Sequence, residues 1–340
     1  MRTNSLRLAA AAVFAFASSF AQTGPTQSFP LQDATGLVML GKTKAEAVEY
    51  KGRKAIRLIC EGPEEGLAVL PATDFQDGVI EADLALKVTT PPGVRNPGFI
   101  GIAFRTRPDA SHYELFYLRP GNADAPDQAM RNHAVQYVAE PGSGWYRLRR
   151  EWPWVYESHA ELKPETWTKV RVEVAGRAAK LYINGSAGPA LVVDGLKGED
   201  LHGAIALWGY AREEAYFSNV RITAAPPQTV KNGSDVAGVW SVRYASDAGV
   251  LEGILKLNRE GNKVTGAWSG TLGENSTVTG TWRDGYVELS FPGEWPKDSG
   301  MGVPGPVTAM LAGWIDGNAG KGRMRVEGHS DGQWMATRKE

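Results

Sequence analysis

The fold is decided by a stretch of strictly alternating residues, KVRVEV at positions 169–174. Its valines point to one side of an extended strand and its charged residues to the other, which is typical of an antiparallel sheet with one face exposed to water. The apolar run Leu181–Ile183 follows, and Asn184-Gly185 after it favours the tight turn of a β-hairpin. This region therefore predicts antiparallel β-structure.

Outward from this stretch, the alternation extends from residue 54 to residue 223. About a dozen short strands at this spacing are too many for one flat sheet and predict two packed sheets. We therefore expect a β-sandwich domain, with a jelly-roll arrangement of strands, over residues 22–224. The clearest strands are Ile56–Leu58, Val79–Val88, Ile100–Phe104, Tyr113–Leu118, Val135–Val138, Val170–Val174, Leu181–Ile183, Ala204–Leu207 and Tyr216–Ile222.

A second domain follows a change of composition. Pro, Gly and polar residues replace the strand pattern over 225–235, which predicts a linker. Beyond it, VTGAW at 264–268 recurs as VTGTW at 278–282. About eight strands in roughly a hundred residues predict a small antiparallel β-barrel over 236–340. The repeated tryptophans fit a filled barrel interior, and a ligand cavity inside the barrel is the alternative.

The composition narrows the functional classes. The 340 residues carry 37 Lys and Arg against 38 Asp and Glu, so nucleic acid is not expected as a partner, because phosphate binding needs a basic excess. The 40 glycines and 20 prolines agree with an all-β chain rich in turns. A single cysteine, Cys60, excludes an intramolecular disulfide, and its apolar strand predicts a buried, unreactive thiol.

The first residues have the pattern of a secretory signal peptide. Two arginines precede the apolar run Leu8–Phe20, and Ser19-Phe20-Ala21 is a small-x-small cleavage site. Residues 1–21 are therefore predicted to be removed, leaving a mature chain that begins near Gln22. No later stretch approaches the roughly 20 apolar residues of a membrane span. We expect an exported protein, periplasmic or extracellular.

Three segments of the sandwich resemble a known family. They are GAIALW at 203–208, AYFSNVRI at 215–222 and GVIEADLAL at 78–86. They resemble strands of concanavalin A-like lectin/glucanase domains, in particular the exported 3-keto-disaccharide hydrolase domains and laminin G-like jelly rolls. The resemblance covers residues 30–224 and implies a concave sheet and rim loops that bind carbohydrate. The barrel resembles lipocalin-like or avidin-like domains through the G-x-W at 238–240 and its strand count.

A candidate binding surface lies between residues 104 and 160, where aromatic, arginine, histidine and amide side chains are concentrated. Aromatic faces cover the C–H side of a sugar while Arg, Asn and Gln bind its hydroxyls, so the mixture predicts carbohydrate binding. Ordinary strand aromatics beside surface charges are the alternative. We expect Tyr117, Arg119, Arg131 and His133 to share one concavity. The candidate ligand-binding residues are Tyr113, Tyr117, Arg119, Asn122, Gln128, Arg131, Asn132, His133, Tyr137, Trp145, Arg147, Trp152 and Trp154.

The resemblance to glucanases can be tested on the residues. Jelly-roll glucanases carry Glu-x-Asp-x-x-Glu on one strand, which places two catalytic carboxylates on one face. Here Glu81 and Asp83 occupy the first two positions, but Leu86 stands at the third. Retaining hydrolysis by that pair is therefore not expected.

A different enzyme is the main alternative to recognition alone. The resemblance implies a hydrolase or lyase acting on 3-keto-glycosides, which needs a base and a group that stabilises negative charge. His133 is the candidate base, with His112 as a second histidine, and Arg119 or Arg131 would stabilise the charge. A third class is a cell-envelope interaction protein whose barrel binds a protein or a lipophile.

Three residues of one polar loop are the candidate metal ligands. Asn122, Asp124 and Asp127 offer the hard oxygen atoms that Ca²⁺ prefers, but their spacing is not that of an established calcium loop. A capped turn is the alternative. The five histidines show no zinc-ligand spacing. We expect no cofactor, and the sequence leaves the ligand and the oligomeric state open.

Overall fold

The computed structural model describes residues 24–88, 95–211, 213–228, 235–297 and 302–339. Within them the chain is almost entirely β-structure, which confirms the predicted fold class: a two-sheet sandwich followed by a closed barrel. The predicted signal peptide and residues 229–234 of the predicted linker lie outside the described residues. The described helices include no candidate for a membrane span.

The sandwich is built from short strands with three small helices between them. Besides a 3-10 helix at Pro120–Asn122, the elements are β1 (Thr26–Phe29), β2 (Val38–Leu40), β3 (Thr43–Tyr50), β4 (Arg53–Cys60), β5 (Glu65–Val69), β6 (Gly78–Lys87), β7 (Ile100–Thr106), β8 (Tyr113–Leu118), α1 (Gln128–Arg131), β9 (Val135–Glu140), α2 (Trp145–Glu151), β10 (Glu157–Ser158), β11 (Thr168–Ala175), β12 (Ala178–Ile183), β13 (Leu191–Asp194), β14 (Ala204–Tyr210) and β15 (Glu214–Ala224).

These strands form two antiparallel sheets. Sheet A has the order β13-β12-β11-β6-β15-β4-β3, with β1 paired to β15, and sheet B has the order β10-β9-β8-β7-β14-β5-β2. The alternation read from the sequence decides which residues enter the core between them. Val170, Val172 and Val174 are at most 2% exposed, whereas Lys169 lies on the outer side of sheet A. The Cys60 thiol is buried, and burial raises its pKa to about 11.

Sheet B is covered on both of its faces. Its inner face packs against sheet A, and its outer face carries Tyr117 opposite Gln136, which in turn pairs with Glu157 of β10. Helix α2 lies over this outer face near the β9–β10 edge, where Arg149 reaches Glu157 and Leu148 is buried. A face that was predicted to be open to a ligand is therefore partly filled by the protein's own helix.

The second domain is a closed antiparallel barrel among the described residues. Its interior contains Trp240, Trp268 and Trp334, each at most 2% exposed. Gly253 makes room for one of these rings, since a Cβ there would lie 2.4 Å from the Trp268 side chain. Trp282, from the second copy of the repeat, is only half-buried and lies under Arg259. The barrel strands are β16 (Gly238–Ser246), β17 (Gly249–Glu260), β18 (Lys263–Gly270), β19 (Gly273–Arg283), β20 (Tyr286–Trp295), β21 (Gly305–Asp316), β22 (Ala319–Val326) and β23 (Ser330–Arg338).

The barrel packs against the edge of the sandwich where β10 and β13 end the two sheets. Tyr286 and Ala312, on the outer wall of the barrel, are buried with the sandwich core. The Arg177–Asp284 ion pair, with 2.8 Å between Nε and Oδ2, crosses the contact, and Lys197 is paired with Glu288. Apolar packing and ion pairs thus join the two domains.

Candidate functional site

A buried carboxylate, Glu157, organises the candidate site. It lies on the edge strand β10, and its side chain is only 2% exposed. Arg149 of α2 donates to it twice, Nε to Oε1 at 2.8 Å and Nη2 to Oε2 at 2.6 Å. Nδ1 of His133 and Nη1 of Arg119 lie 2.7 Å and 3.8 Å from Oε2. These cationic and polar partners offset the cost of removing the carboxylate from water.

The Arg119 guanidinium lies below this cluster, away from solvent. Its Nη2 donates to the Tyr117 hydroxyl at 2.6 Å and its Nη1 to the His133 carbonyl at 3.2 Å. The guanidinium also lies over the Tyr117 and Phe99 rings, 4.9 Å and 5.7 Å from their centroids. Burial lowers the pKa of Arg119 and raises the pKa of Tyr117 to about 12. Arg119 therefore ties β8 to the loop before β9 and is not presented to a ligand.

His133 is held between this cluster and the surface. Its Nδ1 is close to Oε2 of Glu157, but the ring N–H is poorly aligned with that oxygen, so the contact is not a directed hydrogen bond. Burial lowers the pKa of His133, and the positive charges of Arg149 and Arg119 lower it further against the attraction of Glu157. His133 is therefore neutral at pH 7.

Three large aromatic side chains beside this cluster project into solvent. Trp145, Tyr146 and Trp154 are 46%, 64% and 55% exposed, and we call them the aromatic surface. Helix α2 is anchored from the other side, because Leu148 and Trp152 are buried. Exposed apolar rings of this size, grouped in one segment, mark an interaction site more often than a monomer surface without function.

The rings of the aromatic surface are held in place by polar neighbours. The Arg149 guanidinium lies 4.9 Å from the centroid of Trp145, and the Trp154 ring stacks on His133 with 5.3 Å between centroids and 5° between planes. The backbone of Trp154 has φ 65°, in the left-handed region that a bulky residue adopts only at an energetic cost. The fold therefore maintains a strained backbone that keeps this ring exposed.

The structure brings part of the predicted set together. Tyr117, Arg119 and His133 meet around Glu157, and the aromatic surface adds Trp145 and Trp154. The Asn122 amide also joins them, since its Nδ2 donates to the His133 carbonyl at 3.3 Å. Arg147 lies on the outside of α2, where its Nε pairs with Glu151 at 3.0 Å.

Besides Tyr117, which is 3% exposed, three more of the predicted aromatic residues are inaccessible. Tyr113 shares the outer face of sheet B with Tyr117, but it is 3% exposed. Tyr137 is on the inner face: its hydroxyl donates to Glu114 and accepts a hydrogen bond from the Lys197 amide at 2.7 Å. Trp152 is 6% exposed and packs below α2. Strand parity separates Tyr137 from Tyr117, because Phe116 is the residue directly opposite Tyr137.

The predicted residues of the loop before β9 bind one another instead of facing the cluster. Arg131 donates to the carbonyls of Ala125 and Pro126 and to the Gln128 side chain. Gln128 in turn donates to Asn132 at 2.7 Å. The expected concavity shared by Arg131 and Arg119 is therefore not formed, because α1 turns Arg131 back onto its own loop.

The acidic residues of this loop fit a capped turn. Asp127 is the N-cap of α1 and accepts a hydrogen bond from the Ala129 amide at 2.9 Å. Among the residues that the structure describes, no group of three or more His, Cys, Asp or Glu side chains is placed to hold a metal ion. Calcium at Asn122, Asp124 and Asp127 gains no geometric support from this arrangement.

The glucanase-like positions are occupied by structural residues. Asp83 pairs with Arg53, with 2.8 Å between Oδ2 and Nη1, and accepts a hydrogen bond from Asn219 at 2.9 Å. Leu86 is buried in the core between the sheets. The second candidate histidine, His112, precedes the opposite end of β8 from Arg119, and its Nδ1 is 2.7 Å from Arg107.

Sequence reasoning missed Glu157, Arg149 and Tyr146. Arg149 follows Trp145 by four residues, the spacing that places two side chains on one face of a helix, so a helical reading of 145–151 would have paired them. Glu157 gave no such signal, because its strand has only two residues.

The sandwich has the two-sheet architecture that concanavalin A-like domains imply. No protein-family model and no curated protein matches the chain. Similar solved structures include the carbohydrate-binding module CBM66 from Bacillus subtilis, with 13% identity over 54% of this chain and 96% of that one at a TM-score of 0.36. A galectin-like protein of unknown function from Bacillus subtilis has 12% identity over 59% and 96% at a TM-score of 0.41.

The VIP36 exoplasmic/lumenal domain in its Ca²⁺- and mannose-bound form has 12% identity over 57% of this chain and 85% of that one, with a TM-score of 0.39. At such low identities and TM-scores, these likenesses assign no function to this chain. Its function has to be inferred from the residues of the site.

Proposed function

We propose that the protein binds carbohydrate on the aromatic surface of the sandwich. The observation that carries this proposal is the exposure of Trp145, Tyr146 and Trp154. Together they are three of the four large aromatic side chains exposed in the described residues, and the fourth is Tyr210. A sugar presents a flat C–H face that stacks on such rings, and arginine and amide groups bind its hydroxyls.

The neighbouring charges fit an uncharged polar ligand. Glu157 offsets one of the two positive charges of Arg149 and Arg119, and Arg119 is buried, so the cluster behind the rings keeps a small positive charge and offers the partly exposed guanidinium of Arg149 as a hydrogen-bonding group. Such groups, together with exposed rings, suit a saccharide better than a phosphate polymer, which needs an excess of basic residues. The signal-peptide pattern of residues 1–21 supports export, so we place the ligand in the periplasm or outside the cell.

A glycan array with the intact mature protein tests this proposal, run with and without calcium. We expect binding to at least one saccharide class, lost in Trp154→Ala and retained in Tyr210→Ala, which removes an exposed aromatic ring that packs on Phe99 and Trp208 outside the aromatic surface. A wild-type protein that binds no glycan under either condition would contradict the proposal. Dependence on calcium would support metal-assisted binding.

A catalytic role is the second candidate, and it is favoured by the environment of His133. A lowered pKa favours the neutral imidazole, the form that a general base requires, and the Glu157 carboxylate lies 2.7 Å from its Nδ1. In a 3-keto-glycoside the ketone acidifies the neighbouring C–H bond. His133 would take that proton, the bond to the glycosidic oxygen would break, and the departing alkoxide would be protonated, giving an enone and an alcohol.

Incubation with a 3-keto-disaccharide distinguishes the two functions. If the protein is an enzyme, wild type releases a free sugar, and His133→Gln releases it at least about a hundredfold more slowly. A general base contributes at least about 10²-fold to the rate. Binding without product formation would leave recognition as the function. The buried hydrogen bonds of Arg119 make it a positioning residue in either case.

A further inference from the structure

A cleft of about 430 Å³ lies between the sandwich and the barrel. Residues from 152 to 158 and from 189 to 194 contribute one wall, and the outer face of β20–β23 contributes the other. This volume lies within the range of small-molecule sites in proteins. The cleft begins at Trp154, so it continues directly from the aromatic surface.

The two walls are fixed relative to each other by hydrogen bonds. The Trp314 indole of the barrel donates to Asp194 of β13 at 2.6 Å. On the other side, Nη1 of Arg325 donates to the carbonyls of Arg150 and Glu151 at 3.0 Å and 2.9 Å. The last of these contacts lies at the end of α2, so the barrel also supports the helix that carries Trp145. A preformed cleft of this kind does not need to be ordered when a ligand enters.

The barrel wall presents two exposed polar side chains to the cleft. Arg323 pairs across the strands with Ala312 on one side and Gln333 on the other, so all three project from the outer wall. In the described part of the chain, neither Arg323 nor Gln333 forms a side-chain hydrogen bond or an ion pair, and both are exposed. Beside them Gly313 and Gly322, which pair with each other across the strands, also line the cleft.

The sandwich wall presents a flat apolar ring and an acceptor. Trp154 and Asp194 both line this wall of the cleft. Asp194 is open to the cleft, but the protein on both sides of the cleft removes part of the water around its carboxylate. This burial raises the pKa of Asp194 against the lowering effect of the Trp314 hydrogen bond. A pyranose ring offers a C–H face and a rim of hydroxyl groups. The cavity matches both, because it has an aromatic face for the first and N–H donors and a carboxylate acceptor for the second.

We propose that this cleft is a saccharide subsite to which both domains contribute, an inference that rests on the carbohydrate-binding function proposed above. One sugar unit stacks on Trp154, and the next enters the cleft, where Arg323 and Gln333 donate to its hydroxyls and Asp194 accepts from them. The barrel is then part of the binding site, and the sandwich alone binds weakly.

Isothermal titration with cellohexaose, laminarihexaose, xylohexaose and hexagalacturonate tests this subsite. We expect the double variant Arg323→Ala/Gln333→Ala to bind about tenfold more weakly or worse, because charge-assisted hydrogen bonds are lost. Its melting temperature should be unchanged, since neither side chain forms a hydrogen bond or an ion pair within the described residues. The control is Lys256→Ala, an exposed barrel residue outside the cleft, which should bind as wild type does.

The outcomes separate this inference from the proposed function. If Trp154→Ala abolishes binding while the double variant binds as wild type does, the ligand binds at the aromatic surface and the proposed subsite in the cleft is wrong. If wild type binds none of these oligosaccharides and no glycan on the array, both proposals fail. Tighter binding of hexagalacturonate than of the neutral hexamers, lost in the double variant, would support the subsite and identify Arg323 as the group that selects an acidic sugar.

Discussion

Two networks of arginine, carboxylate and tyrosine occur in the sandwich, and they differ in what surrounds them. The first is sealed inside: the Arg105 side chain is 0% exposed and donates to Glu114 at 3.0 Å, to Asp77 at 3.1 Å and to the Gly176 carbonyl at 2.7 Å. The Tyr137 hydroxyl donates to the other oxygen of Glu114. The second is the cluster around Glu157, which is next to the exposed rings of the aromatic surface.

Residue types alone therefore do not identify a site. Both networks combine the same groups, and both lie partly within the aromatic-rich stretch from 104 to 160. In the sealed network, the guanidinium N–H groups of Arg105 donate to acceptors of the protein itself, so they are not available to a ligand. The second is adjacent to solvent-exposed rings and to a neutral imidazole. Exposure and unused binding capacity, which a sequence does not display, separate a structural network from a candidate site.

The largest effect is expected from breaking the sealed network. Arg105→Met leaves the carboxylates of Glu114 and Asp77 buried without their cation, so we expect a loss of about 3–5 kcal/mol in the free energy of unfolding. Chemical denaturation monitored by tryptophan fluorescence measures it. The matched control is Arg107→Met, which breaks a partly exposed pair with Asp200 and should cost less than about 1 kcal/mol. Equal losses in the two variants would remove the distinction between sealed and exposed networks.

A smaller effect is expected at the centre of the second network. Glu157→Gln removes the charge that holds Arg149 and His133, and we expect a loss of about 1.5–3 kcal/mol, the worth of hydrogen bonds to a charged group. Glu151→Gln, which disrupts a surface pair on the same helix, should change stability by less than about 0.5 kcal/mol. A Glu157 variant as stable as wild type would show that this carboxylate does not organise the cluster.

The pH dependence of stability gives a third, smaller effect. The folded protein holds the pKa of His133 below its ordinary value of 6.5, so the unfolded chain takes up a proton first as the pH falls. His133 therefore favours unfolding as the pH drops through 6.5 and down to its folded pKa, and it has no such effect above pH 7. The free energy of unfolding of wild type and of His133→Gln is measured by denaturation between pH 8 and pH 5. The difference between the two curves gives the contribution of His133 to the pH dependence of stability. A difference of the opposite sign would mean that Glu157 dominates the imidazole.

The smallest effect on stability is expected at the aromatic surface. Tyr146 is 64% exposed, and its ring lies against the Trp145 ring and the Arg150 guanidinium. Tyr146→Ala should change the free energy of unfolding by less than about 0.5 kcal/mol, as exposed substitutions usually do. Differential scanning calorimetry checks this. A loss of several kcal/mol would mean that the ring packs against the protein in solution and is not available to a ligand.

Much of the fold could be predicted because the alternation is regular. The valines at 170–174 enter the core as the pattern requires, and the neighbouring strands β8 and β9 pair as expected. The helix α2 was not predicted, because Gly and Pro residues at both of its ends hide a helical segment of only seven residues. Since α2 covers the outer face of sheet B, missing it also meant that Tyr113 and Tyr117 were expected to be accessible.

The candidate site could be predicted in part. Strand parity correctly placed Tyr117 and Arg119 on the same face. Parity cannot show that the Arg119 guanidinium donates its hydrogen bonds to the Tyr117 hydroxyl and the His133 carbonyl. Arg131 and Tyr137 were misplaced for different reasons. A one-turn helix redirects the former, and the latter lies on the inner face of its strand. Glu157 and the contribution of the barrel depend on contacts between distant parts of the chain, which no local pattern encodes.

Titration of the best-binding oligosaccharide from the array into wild type, Trp154→Ala and Tyr210→Ala shows whether the aromatic surface binds the ligand. We expect Trp154→Ala to lose about 2 kcal/mol of binding free energy, the scale of an aromatic hot spot, with a melting temperature close to that of wild type. Tyr210→Ala should bind as wild type does. Wild-type affinity in Trp154→Ala, or an equal loss in both variants, would contradict the assignment of the aromatic surface as the binding site.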